Sequence, residues 1–325
     1  MTGRMENEMK IFSETERLLD GMPDYVRGWY MNLRASRKTA ATCRDYIRKV
    51  RRFLSSINPD VKRVKAEEIN NEVVTKYYLT IQTKETPEGI VYTSDSYQNT
   101  IWFCLENFFQ YLDHAGDIKE NFIKNITKPT NNDLDRINEH RILLTADDFK
   151  TIVNSVNMES NMFLQKRDKA IILLFMNTGI RCTALSTILL DDIDFAMKHL
   201  SIIDKGNKRH EYVLNDVVMR AIDEWLNERG ESQDSHLFLT RRGTPASAHV
   251  IKDVVYKYTN VALGKHISPH KLRSGYCSIL YNKTGDIEFV RRCVGHSNVA
   301  TTQRYIVTKG SEKERSSEIM GELLG

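Results

Sequence analysis

The sequence lacks the patterns that mark disulfide-rich, membrane-spanning and secreted proteins. Its five cysteines are an odd number and include no Cys-x-x-Cys pair, which favours reduced thiols over a disulfide framework or a zinc site. The longest apolar run, residues 170–176, is much shorter than the roughly 20 residues that cross a bilayer. The first ten residues are polar and mixed in charge, so no signal peptide is predicted. We therefore expect a soluble intracellular protein.

Motifs for nucleotides and metals are missing as well. The chain has no Gly-x-x-x-x-Gly-Lys-Ser/Thr loop and no spaced cluster of His, Cys and Asp, the patterns that hold phosphates and metal ions. We therefore expect neither a cofactor nor a metal. The length of 325 residues is typical of about two domains.

Positive charge is modest in total but concentrated in one stretch. The net charge is only +4, yet residues 34–65 contain eleven basic and two acidic residues. Such clustering is the electrostatic pattern of a phosphate-binding surface; the alternative is an ordinary solvated helix face. The candidate DNA-binding residues are Arg37, Lys38, Arg44, Arg48, Arg51 and Arg52.

The second half of the chain contains a set of residues suited to metal-free cleavage of a phosphodiester. Arg181 lies in Thr-Gly-Ile-Arg, His270 and Arg273 in His-Lys-Leu-Arg, His296 in Val-Gly-His, and Tyr305 in Arg-Tyr. Guanidinium groups match the oxygens of a phosphoryl transition state. A tyrosine can act as the nucleophile, and an imidazole can move its proton.

In order and spacing, these boxes resemble the tyrosine recombinase (phage integrase) family. The segment Leu200-Ser-Ile-Ile-Asp-Lys205-Gly-Asn-Lys is similar to the hairpin that carries the family's catalytic lysine, with Lys208 as the competing candidate. The resemblance implies that Tyr305 attacks the scissile phosphate and forms a 3′-phosphotyrosyl link. It implies catalytic roles for six residues: Arg181, Lys205, His270, Arg273, His296 and Tyr305.

Two positions depart from the family's pattern. Ala184 stands where an acidic residue usually supports the first arginine, and Ser274 stands where a histidine commonly follows the second. Neither position contacts phosphate directly, so we expect activity to survive. Ser274 also disfavours a housekeeping role of the Xer type.

The resemblance implies a mainly α fold with a small β-hairpin or sheet. An N-terminal helical core-binding (SAM-like) domain is expected over residues 1–127 and a linker over 128–142. A tyrosine recombinase catalytic domain would follow over 143–310. The tail, 311–325, has apolar residues at helical spacing, and in the family this segment packs into a neighbouring protomer.

Apolar spacing and capping residues predict the individual elements. In a wholly helical first domain we expect helices over 23–33, from 39 past 54, over 66–80 and over 94–112, with a loop at 82–92. In the second domain we expect a capping box from Thr145 to Asp148 and strands over 200–204 and 211–214. Asp216 and Asp286 should cap helices that end at Gly230 and Gly295.

The function that follows is site-specific recombination of DNA without metal or ATP. The expected partners are double-stranded DNA with inverted-repeat sites and three further copies of the chain in a tetramer on two duplexes. Accessory DNA-bending or directionality factors are further candidate partners. We favour a mobile-element integrase in the cytoplasm of a prokaryote, associated with the nucleoid. A type IB topoisomerase, or a DNA-binding relative that has lost catalysis, remains the alternative.

Overall fold

The computed structural model describes residues 3–87, 89–128, 143–204, 208–303 and 305–306, together with Ser317 and residues 320–322. The chain divides into two compact units, Met1–Glu139 and His140–Gly325. No helix in the described ranges is long and apolar enough to cross a membrane. The linker predicted at 128–142 lies outside these ranges except for its first residue.

In its described residues, the first unit is a bundle of five α-helices with one small hairpin. Its apolar core is rich in aromatic side chains, and Trp29, Phe53, Phe108 and Phe109 are fully buried in it. The elements are α1 (Gly3–Leu19), α2 (Asp24–Ala35), α3 (Ala40–Ser55), α4 (Asn71–Gln82), β1 (Thr83–Thr86), β2 (Gly89–Tyr92) and α5 (Asp95–Ala115), with 3-10 turns at Val61–Arg63, Ala66–Glu68 and Phe122–Asn125.

The prediction that this unit is wholly helical is wrong at residues 83–92. There β1 and β2 pair antiparallel, with Thr83 opposite Tyr92 and Thr86 opposite Gly89. Nearly all of the hairpin is exposed on both faces, so it shows no alternation of apolar and polar residues by which a strand is recognised. The third predicted helix is also shorter than expected, because Asn70 caps a new helix after the turn at Ala66–Glu68.

A helix that the sequence did not predict, α1, packs against α3. Glu14 of α1 accepts a hydrogen bond from the Arg44 guanidinium at 2.6 Å, and Arg34 lies 4.1 Å over the ring of Phe12. The helical unit therefore begins well before residue 23.

The second unit packs helices around one three-stranded sheet. The strands lie in the sheet in the order of the chain, and neighbouring strands are antiparallel. The elements are α6 (Ala146–Asn157), α7 (Met162–Thr178), α8 (Cys182–Leu185), β3 (Ile193–Asp194), β4 (His199–Asp204), β5 (Lys208–Val213), α9 (Asp216–Arg229), α10 (Ala248–Leu263), α11 (Pro269–Thr284), α12 (Ile287–Val294) and α13 (Val299–Gln303), with a 3-10 turn at Leu190–Asp192.

Most predicted helix ends in this unit are confirmed. Thr145 and Asp148 form the reciprocal capping box of α6, and Asp286 caps α12. The predicted cap at Asp216 is wrong: the side chain of Asn215 accepts from the amides at the start of α9, while Asp216 pairs with Lys198 at 2.5 Å. Both residue types cap helices well, so the sequence did not distinguish two adjacent candidates.

Candidate active site

Arg181 is positioned by a break between α7 and α8. Gly179 ends α7 with φ of 59°, and an added Cβ there would lie 2.5 Å from the Tyr276 ring. Glycine is required on both counts. The amide of Ile180 donates to the hydroxyl of Thr178 at 3.1 Å, and Arg181 then occupies the N-cap position of α8.

Arg273, on α11, is buried with its guanidinium held by backbone. Its exposed fraction is 2%. It donates to the carbonyl of Gly179, to the carbonyl of Val294 at 2.8 Å and to Nε2 of His296 at 3.0 Å. Its buried Nε has no hydrogen-bond partner in the described part of the chain. The Nε donor of a fixed cation therefore remains available for an acceptor.

Burial and the neighbouring Arg181 lower the pKa of Arg273 from its usual value. That value is so high that the guanidinium stays charged at physiological pH. Two cations therefore share this site, and such a pair attracts an anion of matching shape.

His296 follows directly after α12 and is 3% exposed. Gly295 ends the helix with φ of 65°, and the ring then reaches Thr302 Oγ1 through Nδ1 at 3.0 Å. Because arginine only donates, Nε2 must accept from Arg273, which leaves the proton on Nδ1. Burial, followed by the charges of Arg273 and Arg181, lowers the pKa of His296 to about 4. The imidazole is therefore neutral at physiological pH.

Tyr305 lies beside both histidines and Arg273. Its hydroxyl is 3.3 Å from Nδ1 of His270. Its ring centroid is 4.7 Å from that of His270, 4.9 Å from that of His296 and 5.8 Å from the Arg273 guanidinium carbon. The tyrosine is half-buried. Tyr276 packs beside this site in the small apolar cluster that α11 and α12 share.

His270 occupies the first turn of α11, directly after Pro269. Its side chain is exposed at the mouth of the site. Partial desolvation, then the charges of Arg273 and Arg181, lower its pKa. A neutral imidazole can accept the phenolic proton, so the geometry and the charge state agree with a role as a base.

The backbone of Tyr305 is held by residues that sequence reasoning missed. Ser274 donates to the Tyr305 carbonyl at 2.5 Å, and Ser278 donates to the same oxygen at 3.2 Å. Ile306, 8% exposed, packs into the apolar cluster of α11 and α12. Apart from the departure at Ser274, no signal in the sequence pointed to this contact.

Lys205, the predicted general acid, lies outside the described residues. Its competitor Lys208 begins β5. The hairpin formed by β4 and β5 contacts the site through His210, because a Cβ added at Gly295 would lie 1.9 Å from the His210 ring. Sequence reasoning did not identify His210.

The second departure from the family's pattern, Ala184, is 6% exposed and belongs to the apolar core. A methyl group cannot accept a hydrogen bond, so this position gives Arg181 no carboxylate. Arg181 nevertheless lies close enough to His270, Arg273 and His296 to lower the pKa of each.

The predicted DNA-binding residues differ in their surroundings. Arg48 and Arg51 on α3 and Arg37 and Lys38 before it are exposed. Arg44 is paired with Glu14, and Arg52 donates to the hydroxyl of Tyr97 at 2.6 Å. The sequence did not predict either of these two contacts.

Within the described ranges, no group of three or more His, Cys, Asp or Glu side chains could hold a metal ion. The site consists of two arginines, two histidines and a tyrosine. These groups can bind an anion and exchange a proton with the tyrosine hydroxyl.

Comparison with known proteins identifies the same family that the sequence motifs resemble. The model described as "Phage integrase family" matches residues 143–311, about half of the chain. The chain belongs to the phage integrase (tyrosine recombinase) family. A relative named tyrosine recombinase XerC, from Caldanaerobacter subterraneus subsp. tengcongensis, is 30% identical over 252 residues, which are 76% of this chain and 66% of the relative. The alignment thus spans just under two thirds of that relative.

Solved structures share the two-domain fold. The integrase of the Tn1549 transposon, in complex with circular intermediate DNA, superposes with a TM-score of 0.65 at 18% identity, over 92% of this chain and 99% of that one. A lambda integrase dimer bound to a COC′ core site gives 0.63 at 16% identity, over 86% and 96%. The predicted mainly α fold with small sheets is confirmed.

Proposed function

We propose that this protein is a site-specific DNA recombinase that cleaves and rejoins DNA through Tyr305. The observation that carries the proposal is the position of the Tyr305 hydroxyl, 3.3 Å from Nδ1 of His270, in a site that contains Arg273 and Arg181. Family membership supports the reaction class, and the relatives crystallised with DNA support DNA as the substrate.

The proposed reaction is a transfer of one phosphoryl group. The Tyr305 oxygen bonds to the scissile phosphorus while its proton passes to His270. The bond to the 5′-oxygen breaks, and Lys205 supplies the proton for that oxygen. A 3′-phosphotyrosyl link results. The free 5′-hydroxyl of the partner duplex then attacks this link and gives its proton to Lys205, while Tyr305 leaves and regains its proton from His270. The bond energy is thus kept without ATP.

Arg273 and Arg181 would bind the non-bridging oxygens of the phosphate. The buried Nε of Arg273, which has no partner within the described ranges, gains an acceptor when a phosphoryl oxygen enters. Charge that develops on those oxygens in the transition state then meets donors already fixed in place, which is the arrangement that lowers a barrier most.

His296 must change its protonation to take part. Its Nε2 accepts from Arg273 at 3.0 Å, whereas a phosphate oxygen requires a donor. A bound anion raises the pKa of a neighbouring imidazole. We therefore propose that His296 takes up a proton when the phosphate binds, so that Nε2 donates to it while Nδ1 keeps Thr302.

The finer parts of the proposal concern the complex and its setting. We propose a tetramer on two duplexes with inverted-repeat sites, encoded by a mobile element and acting in the cytoplasm at the nucleoid. In the tail, only Ser317 and residues 320–322 are described, and they are helical. Deleting residues 315–325 should spare binding to one half-site and impair the two-duplex complex on native gels.

Covalent capture on nicked duplex DNA tests the reaction. Replacing Tyr305 with Phe removes the attacking oxygen alone, so DNA binding should persist and no covalent complex should form. Tyr281→Phe, on α11, is the matched control and should be captured as the wild type is. Capture of the Tyr305→Phe protein would identify another nucleophile and overturn the proposal.

Plasmid assays separate the proposed recombinase from a topoisomerase with the same chemistry. A recombinase converts a plasmid with two sites into resolved or inverted products. A topoisomerase relaxes any supercoiled plasmid and gives a ladder of topoisomers. Relaxation without recombinant products would contradict the proposal.

A further inference from the structure

We propose that the hydroxyl groups of Ser274 and Ser278 hold the Tyr305 nucleophile in position. We call this pair of hydroxyl groups the catch. Both serines lie on α11 and donate to the Tyr305 carbonyl, at 2.5 and 3.2 Å. The inference rests on the proposed function for its consequence in catalysis, but the catch itself is a property of the free protein.

One helix, α11, contacts both the hydroxyl and the carbonyl of Tyr305. His270 meets the Tyr305 hydroxyl from the first turn of α11, and Arg273 contacts the ring from the same turn. Ser274 and Ser278, one helical turn apart, hold the other end of the tyrosine. The nucleophile is thus fixed at its hydroxyl and at its carbonyl by the helix that carries two of the catalytic candidates.

The surroundings make the two hydroxyls hard to replace. Ser278 is 1% exposed, so little water is available to satisfy the Tyr305 carbonyl once the serines are removed. Both hydrogen bonds are partly buried, and a partly buried carbonyl that loses its donors is costly. The amides of Tyr305 and Ile306 also donate to the nearby carbonyls of Thr302 and Gln303, at 2.9 and 3.3 Å. The Ile306 side chain packs against Cys277, Val290 and Val294. Apolar packing holds position but imposes little direction.

Ser274 therefore has a use that explains its departure from the family's pattern. A hydroxyl at this position reaches the nucleophile's own backbone. Both serines are positioning residues, because their hydroxyls donate to the Tyr305 carbonyl and act on the reacting oxygen only through it.

Single-turnover cleavage of nicked duplex DNA at saturating protein gives the first test. Ser274→Ala should lower the rate of covalent complex formation about fivefold, and the pair Ser274→Ala with Ser278→Ala about twentyfold. The dissociation constant for DNA should not change. Ser274→Thr keeps a hydroxyl and should restore most of the rate.

The matched control is Thr284→Val on the same helix. The Thr284 hydroxyl donates to the Leu280 carbonyl at 2.8 Å, so the substitution removes a similar bond away from the nucleophile and should leave the rate unchanged. Equal losses in Thr284→Val and Ser274→Ala would mean that the effect is general destabilisation of α11, and the catch would be wrong.

A second readout needs no DNA. With 3-fluorotyrosine placed at position 305, the fluorine resonance of the free protein should shift toward the solvent value and broaden in the double alanine variant. An unchanged resonance overturns the catch, whatever the activity. If the wild type forms no covalent complex on DNA, the proposed function fails instead, while the fluorine spectrum still decides whether the serines dock Tyr305.

Discussion

Arg273 in the second unit and two arginines of α3 in the first unit, all candidates for phosphate binding, are held in opposite ways. Arg273 in the second unit is 2% exposed, and its guanidinium has two backbone carbonyls and an imidazole as acceptors. Arg48 and Arg51 in the first unit are exposed on α3. The N–H groups of Arg273 therefore point in fixed directions before a ligand binds. The side chains of Arg48 and Arg51 can change conformation to suit the ligand.

This difference separates two uses of the same side chain. Fixed donors favour one geometry of charge, which is what a transition state requires. Exposed arginines contribute attraction to phosphates that depends on salt and tolerates variation in geometry. We therefore expect the geometry of the guanidinium group to matter for Arg273 in the second unit. For Arg48 and Arg51 in the first unit we expect only the positive charge to matter.

Arg273→Lys should have the largest effect. Lysine keeps the charge but cannot direct its donors to the Gly179 and Val294 carbonyls and a phosphate at once. We expect cleavage to fall by about 10²–10³-fold and stability to fall by about 1–3 kcal/mol. Covalent capture and urea unfolding would measure the two losses.

Arg48→Lys is the matched substitution in the first unit. It should leave DNA affinity within about twofold, since only charge is needed there. Similar losses from the two lysine substitutions would remove the distinction between fixed and adjustable arginines.

Gly295→Ala should be the next most damaging change. The residue has φ of 65° and its Cβ would lie 1.9 Å from the His210 ring, so both backbone strain and a clash arise. We expect the free energy of unfolding to fall by about 2–4 kcal/mol. Cleavage should also be slower, because His296 directly follows Gly295. Chemical denaturation and covalent capture would measure both.

Gly285→Ala provides the control for strain without a clash. Its φ is 67°, yet nothing lies within 4 Å of a Cβ added there. We expect this substitution to lower the free energy of unfolding by about 1 kcal/mol. Adding His210→Ala to Gly295→Ala should recover the difference between the two. Equal losses at both glycines would show that the contact with His210 does not matter.

The buried histidine should make stability depend on pH. The pKa of His296 is about 4 in the folded protein and about 6.5 when unfolded. Between these values the unfolded chain binds more protons, so stability is complete above pH 6.5 and decreases as the pH falls toward 4. The contribution is about 2–3 kcal/mol at most.

Unfolding free energies of the wild type and His296→Asn, measured from pH 4 to 7, would isolate this term. The difference between the two proteins should change over that window and be constant above it. A constant difference throughout would mean that the His296 pKa is not lowered.

Arg48→Ala combined with Arg52→Ala should affect cleavage less than the substitutions in the second unit, and its effect on DNA affinity should depend most on salt. Each lost phosphate contact flattens the log–log salt dependence of DNA affinity by about one unit. Because Arg52 also donates to Tyr97, the flattening should come mainly from Arg48. Lys76→Ala, on α4, is the control. An unchanged slope would identify this face of α3 as ordinary solvated surface.

Much of the fold could be predicted because its signals are local. The capping box from Thr145 to Asp148, the cap at Asp286 and the glycine at the end of α12 each depend on residues within one turn of the helix. The prediction failed where local signals were weak or ambiguous. The exposed hairpin at 83–92 has no buried face, and Asn215 and Asp216 are equally good caps.

The sequence alone determined the family, through the residue types, order and spacing of its motifs. It also determined the candidates Arg181, His270, Arg273, His296 and Tyr305. Contacts between distant segments were decided by the tertiary structure. Ser274 meets the Tyr305 carbonyl across 31 residues, and Arg273 meets that of Gly179 across 94. A hydroxyl or a carbonyl has no sequence signature for a partner so far away, because only packing of the helices brings the two together. For the same reason, the neutral state of His296 follows from its burial beside two arginines and not from its motif.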